Sequence, residues 1–286
     1  MKLPRSRLMA RCIPAAALAA CLLAACSAEP STPTKYQLPE NAQFSYRWTA
    51  TPGLDLNSDA AIVTRAAVES AFLATMTRTY SENNVGKYTY PGYTRAVDPA
   101  MGEKDQSIYK TWDASRLDVW GSVHGTAYPY LVSLQKAADY PTTHVVEALT
   151  CLWLNGVSVS LNRPDEYRSP FNSALVPQAI KMKLRAPQDE TPKLTTFGQG
   201  PARYPTTDVF GDWSVESMDV NSSWINAWTR KPYDDPCAAL PGNPVPPEQL
   251  ATTTLTFYQA HLPTLDPSPG WPADAERPTT SAGDGK

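Results

Sequence analysis

The chain has 286 residues, 28 of them proline, and a formal net charge of −3. That length fits one large domain or a modest domain with long irregular ends, and the uneven spread of proline favours the second. A mildly acidic chain without clusters of Lys and Arg lacks the means of neutralising phosphates, which argues against a nucleic-acid partner.

Lys2, Arg5, Arg7 and Arg11 precede an apolar run from Ile13 to Ala25, with no acidic residue among them. A charged start, an apolar centre too short to span a bilayer and small residues before a cut mark residues 1–25 as a secretory signal. The tetrapeptide Leu23-Ala24-Ala25-Cys26 resembles the bacterial lipobox. The resemblance implies that the Cys26 thiol is acylated, with palmitate or a similar chain, and that the peptide before it is removed. The mature protein is then a lipoprotein, anchored through Cys26 on the extracytoplasmic face of the cell membrane. Loss of the four leader cations leaves 21 basic against 28 acidic residues, or about −7. No polybasic segment grips anionic lipid, so the anchor rests on more than one acyl chain.

Cys12 and Cys21 leave with the leader and Cys26 carries lipid, so Cys151 and Cys237 remain. An exported compartment oxidises thiols, and the two survivors read as one disulfide. Their spacing excludes a CxxC motif. His124, His144 and His261 lie far apart in sequence and form neither HExxH nor HxH, so no metal and no cofactor is expected.

Residues 26–43, with Pro30, Pro33 and Pro39 among polar residues, read as an extended tether. Phe44 to Thr49 alternates aromatic and polar residues as a short strand would. Asn57, Ser58 and Asp59 then offer caps for a helix on which Ile62, Ala66, Leu73, Met76 and Tyr80 share a face. Asp55, Asn57 and Asp59 imitate a calcium loop, but Ala60 and Ala66 stand where an EF-hand needs glycine and glutamate. Glu69 falls on the helix's apolar face, where a carboxylate needs a partner, a pocket or a route to solvent.

From Ser81 to Trp120 the pattern loosens. Ser107-Ile108-Tyr109-Lys110 has the SxxK form and Ser81-Glu82-Asn83 the SxN form, but they occur in the wrong order and no KTG element follows, which argues against acyl transfer of the penicillin-binding type. Beyond Gly121 the period becomes two. Tyr128 to Lys136, His144 to Leu154 and Val157 to Leu161 read as strands, with Asn155-Gly156 predicting a type I′ hairpin between the last two. On the first hairpin strand Val146, Ala148, Thr150, Leu152 and Leu154 form the expected core face, leaving Cys151 on the other. Ile180, Met182 and Leu184 alternate with Lys181, Lys183 and Arg185, a half-buried strand with a solvated basic side. Gln188 to Pro205 reads as a long loop, Trp213 to Asp219 as the last strand, and residues 241–286 as a mostly disordered, proline-rich tail.

This order predicts an α+β fold of one domain over residues 44–240. The run Thr143 to Leu161 with Cys151 on its first strand, then Ile180 to Arg185, Trp213 to Asp219 and the Pro-Cys at 236–237, is similar to uncharacterised NTF2-like lipoproteins of actinobacteria. The resemblance implies a SnoaL/ketosteroid isomerase-type cone, an N-terminal helix on a curved antiparallel sheet, with a central-strand cysteine paired to one near the C-terminus.

Two functions are weighed. The absence of GxSxG, P-loop and dinucleotide motifs favours a non-enzymatic binding or accessory module of the cell envelope, with an envelope protein as partner and Trp112, Trp120, Trp224 and Trp228 as interface aromatics. A prophage-encoded exclusion factor is a variant of the same reading. The alternative is a small-molecule enzyme or ligand-binding protein using an NTF2-like pocket. Its residues would be Glu69 and His144 with Tyr80 or Tyr109, since such a site needs a desolvated acid or base beside a hydroxyl donor.

Overall fold

The computed structural model describes residues 36–76, 89–97, 121–138, 144–160, 166–169, 177–188, 194–221, 257–258 and 261–273, together with 237, 240, 244 and 246. The compact unit runs from Tyr36 to Lys286. Cys26, Tyr80, Tyr109, both SxxK-type and SxN-type segments, and Trp112, Trp120, Trp224 and Trp228 lie outside the described residues.

The fold is α+β. Strands β1 (Ala42–Tyr46) and β2 (Thr49–Ala50) lead into helix α1 (Asp59–Met76) and the short helix α2 (Tyr93–Ala96). Seven strands follow: β3 (Val123–Lys136), β4 (Val145–Trp153), β5 (Val157–Ser160), β6 (Tyr167–Arg168), β7 (Gln178–Arg185), β8 (Ser214–Asn221) and β9 (Phe257–Tyr258). The sheet runs β8-β7-β4-β3-β5-β6-β9, antiparallel throughout, and β1 and β2 both add to β3 in parallel. The edge is therefore mixed, where an antiparallel sheet was expected.

Helix α1 begins as its sequence suggests. The Ser58 carbonyl accepts the first helical bond from the Ile62 amide, as an N-cap carbonyl does. The Asp59 carboxylate serves elsewhere, accepting from the Leu194 amide at 2.8 Å. The helix is buried on every side from Ala61 to Met76, not on one face alone. It lies against β1, β3 and β7 on one flank, while the 3-10 turn Leu194–Phe197 and α2 cover others. A helix wrapped this way can carry apolar residues all round.

Asn155-Gly156 does not close a hairpin. β4 and β5 never pair with each other; both lie antiparallel along β3, β5 on residues 123–125 and β4 on residues 128–136. Between the matched pairs Gly125–Val157 and Tyr128–Trp153, three residues of the β4–β5 strand oppose two of β3, which is a bulge. The Val157 amide donates to the Leu154 carbonyl and the Thr126 amide to the Gly156 carbonyl. The left-handed backbone the turn signal promised falls across the ladder, at Gly125 with φ 109°.

The predicted division of faces holds. Ala148, Leu152 and Leu154 join the main core against α1, with Val146 half-buried beside them. Cys151 and Trp153 face away with Tyr128, Ala179 and Cys237 in a second, smaller cluster. There Cys151 and Cys237 are joined as a disulfide with Cα atoms 5.7 Å apart.

Both expected boundaries shift outward. Within the expected tether, Tyr36 meets Tyr90 and Tyr204 edge-on, and Ala42 and Gln43 already belong to β1. Within the expected tail, residues 262–265 cross the sheet's outer face on side-chain hydroxyls. Ser158 Oγ accepts from the Leu262 amide, Thr126 Oγ1 donates to the Pro263 carbonyl and accepts from the Leu265 amide, and Ser45 Oγ donates to the Leu265 carbonyl. The segment then turns the edge at β1, where the Trp48 amide donates to the Ser268 carbonyl and the Ser268 amide to the Tyr46 carbonyl. It ends with Trp271 in the main core. This strap supplies its hydrogen bonds from one residue at a time, so it has no strand period to betray it.

Candidate functional site

Glu69 sits midway along α1 and is 1% exposed. Trp48, just after β1, donates from Nε1 to Glu69 Oε1 at 2.7 Å. Tyr90 Oη and Trp271 Nε1 donate to Oε2 at 2.8 and 2.9 Å. Tyr46 Oη adds a bond to the Glu69 main-chain carbonyl at 3.1 Å. Donors from three separated parts of the chain thus converge on one carboxylate. Each of its oxygens faces an indole N–H, which can donate but never accept.

One turn earlier, Arg65 is fully buried and its guanidinium carbon lies 4.5 Å from the centre of the Trp271 ring. Its Nη1 donates to the carbonyls of Gly198 at 2.8 Å and Leu56 at 3.3 Å, and its Nη2 to those of Pro269 at 2.8 Å and Gly270 at 3.4 Å. Arg65 therefore ties the loop before α1, the loop after the 3-10 turn and the strap to one point. Burial pushes the Glu69 carboxyl above its ordinary range, while Arg65 and the bonds from Tyr90, Trp271 and Trp48 pull it back. Burial also lowers Arg65, against the pull of Glu69, and raises Tyr46 and Tyr90 well above the usual phenol range, with Glu69 adding to both.

Of the residues nominated from sequence, only Glu69 occupies this centre among the described residues. His144 lies exposed just before β4, its carbonyl accepting from the Ala186 amide at 2.7 Å. The tyrosine that reaches the Glu69 carboxylate is Tyr90. Arg65, Trp48, Tyr90 and Trp271 were not foreseen. The signal for Arg65 was its spacing of four from Glu69 on an apolar helix, where two opposite charges meet.

A second cluster brings together two histidines that lie far apart in sequence. His124 on β3 and His261 at the start of the strap stack with ring centres 4.6 Å apart and planes 19° from parallel. Tyr167 on β6 meets both edge-on, at 5.8 and 5.9 Å. His124 Nε2 shares a 2.7 Å bond with Ser122 Oγ, and Ser160 Oγ accepts from the Ser122 amide at 2.7 Å. Burial, and then His261, lower the His124 pKa. Among the described residues no carboxylate bonds to either ring. No group of three or more His, Cys, Asp or Glu suited to a metal ion occurs among the described residues.

The outer sheet face carries a groove of about 380 Å³. Register places Gln135, Glu147, Lys183 and Ser217 in one row across four strands, and Ser133, Leu149, Lys181 and Asp219 in the next. Lys183 Nζ pairs with Glu147 at 3.4 Å, and Lys181 and Asp219 are exposed. Arg185 and Glu216 form a further ion pair at this end of the sheet. No helix among the described residues is long and apolar enough to cross a membrane. Comparison with family models, with curated proteins and with solved structures finds no match for the chain.

Proposed function

We propose that the chain is a lipid-anchored extracytoplasmic module of the cell envelope that binds a protein partner and transforms no substrate. The observation that carries the reading is the Glu69 carboxylate, whose two oxygens are occupied by Trp48, Tyr90 and Trp271. An acid so engaged, and 1% exposed, holds a fold together and is closed off from a reacting group in solvent. The groove over the outer face, with both signs of charge around half-buried Leu149, has the polar rim and apolar centre of a protein interface. The anchor rests on Leu23-Ala24-Ala25-Cys26. The NTF2-like cone remains our reading of the architecture, supported by α1 lying against β1, β3 and β7 and by bulges that bend the sheet at Leu131/Ser133 and Lys183/Leu184.

Affinity capture of the full-length chain from labelled membranes tests both parts. The wild type is expected in the membrane fraction, carrying fatty acid and one reproducible protein partner. Cys26→Ser is expected in the soluble fraction without label. Lys181→Glu with Lys183→Glu is expected to keep its fold and its anchor while retaining at most about a tenth of the partner, as charge reversal at an interface implies. Membrane retention and acylation of Cys26→Ser would refute the anchor. Partner yield unchanged by the double reversal, or a lone monomer that turns over a small apolar substrate, would refute the binding surface.

A further inference from the structure

We infer that the stacked imidazoles of His124 and His261 form an acid-sensitive latch that holds the C-terminal strap across the sheet. His261 follows shortly after β9, which pairs with β6, and from there the strap lies over β5, β3 and β1. Leu262 bonds to Ser158, Pro263 and Leu265 to Thr126, and Thr264 Oγ1 to the Gln43 carbonyl at 2.6 Å. Further on, the strap turns the β1 edge and delivers Trp271 to Glu69 and Arg65. Residues 261–271 thus run from the stacked pair to the core tryptophan.

Two neutral rings 4.6 Å apart attract one another as aromatic faces do. Two imidazolium rings at that distance repel. Among the described residues, the side chains that bond to or stack on the pair carry no fixed charge. Ser122 and Ser160 are neutral hydroxyls, Ser158 is engaged with the Leu262 amide, and Tyr167 presents its ring to both histidines. The charged residues Glu166 and Arg168 flank Tyr167 in the sequence. Burial and the neighbouring His261 both hold His124 below its ordinary value of 6.5. A histidine depressed in the closed state favours closure fully above its ordinary pKa, and that contribution is lost as pH falls from there through the closed-state value. Acid accordingly loosens the strap around His261, between β9 and residues 262–265.

Hydrogen exchange of the full mature chain, corrected for the intrinsic effect of pH on amide exchange, reads this directly. From about pH 7.5 to about pH 5, protection of residues 261–268 is expected to fall about tenfold relative to protection of β4. His261→Phe keeps a stacked ring without a second charge and should reduce that fall, and His124→Gln should abolish it. Equal loss in the strap and β4, no loss in the strap, or an undiminished fall in both variants would overturn the latch. If a variant does not fold, the wild-type comparison of strap with β4 decides alone.

Discussion

Around Glu69, the hydrogen-bonding capacity of each side chain fixes the arrangement more tightly than its charge does. Trp48 and Trp271 can only donate, and each approaches a different carboxylate oxygen. Trp271→Phe keeps most of the apolar bulk, yet leaves Oε2 with Tyr90 alone and removes the indole face beneath Arg65. It is expected to cost about 2–4 kcal/mol in urea unfolding, through a lost charge-assisted bond and a weakened cation–π contact. A loss below about 0.5 kcal/mol would show that Trp271 merely fills space. Glu69 was visible in the sequence as an acid out of place on an apolar face. Its partners were not, because Trp48, Tyr90 and Trp271 are 21, 21 and 202 residues away in the chain and share no motif.

Among the elements, strand period and face were legible and connectivity was not. Alternation along residues 145–153 separated Cys151 from the core side, and the fold puts it in the smaller cluster with Cys237. Asn155-Gly156 carried a local hairpin signal that the long β3 strand overrides, by pairing with both β4 and β5 and absorbing the extra residue as a bulge. Gly125 shows how tightly the crossing is built. A Cβ there would lie 2.2 Å from the Gly156 carbonyl oxygen and 3.1 Å from Val157 Cα, on a backbone with φ 109°. Gly125→Ala is expected to destabilise by about 2–4 kcal/mol, because backbone strain adds to a contact no rotamer relieves. Calorimetry reads this as a lowered melting temperature, and an unchanged one would mean that β3 can shift away from the bulge.

At the scale of the whole molecule, composition misplaced the boundaries for one physical reason. Proline-rich sequence lacks a period of its own, but it can still be held in place by bonds from its neighbours. Residues 261–273 have seven Leu, Pro or Trp side chains, and the sheet's hydroxyls and Arg65 supply what the segment cannot make for itself. Described residues from both ends of the fold thereby cover α1, while among the described residues the outer face of β3, β4, β7 and β8 carries the charged groove. The proposed function has Glu69 hold the fold and the groove bind a partner, and equilibrium unfolding of Glu69→Gln tests it most directly. An amide has one oxygen, so one of two indole N–H groups must face an NH₂; the account predicts a loss of about 2–4 kcal/mol. A catalytic acid held at a strained site does the opposite when neutralised, and a Glu69→Gln chain as stable as the wild type, or more so, would contradict the account.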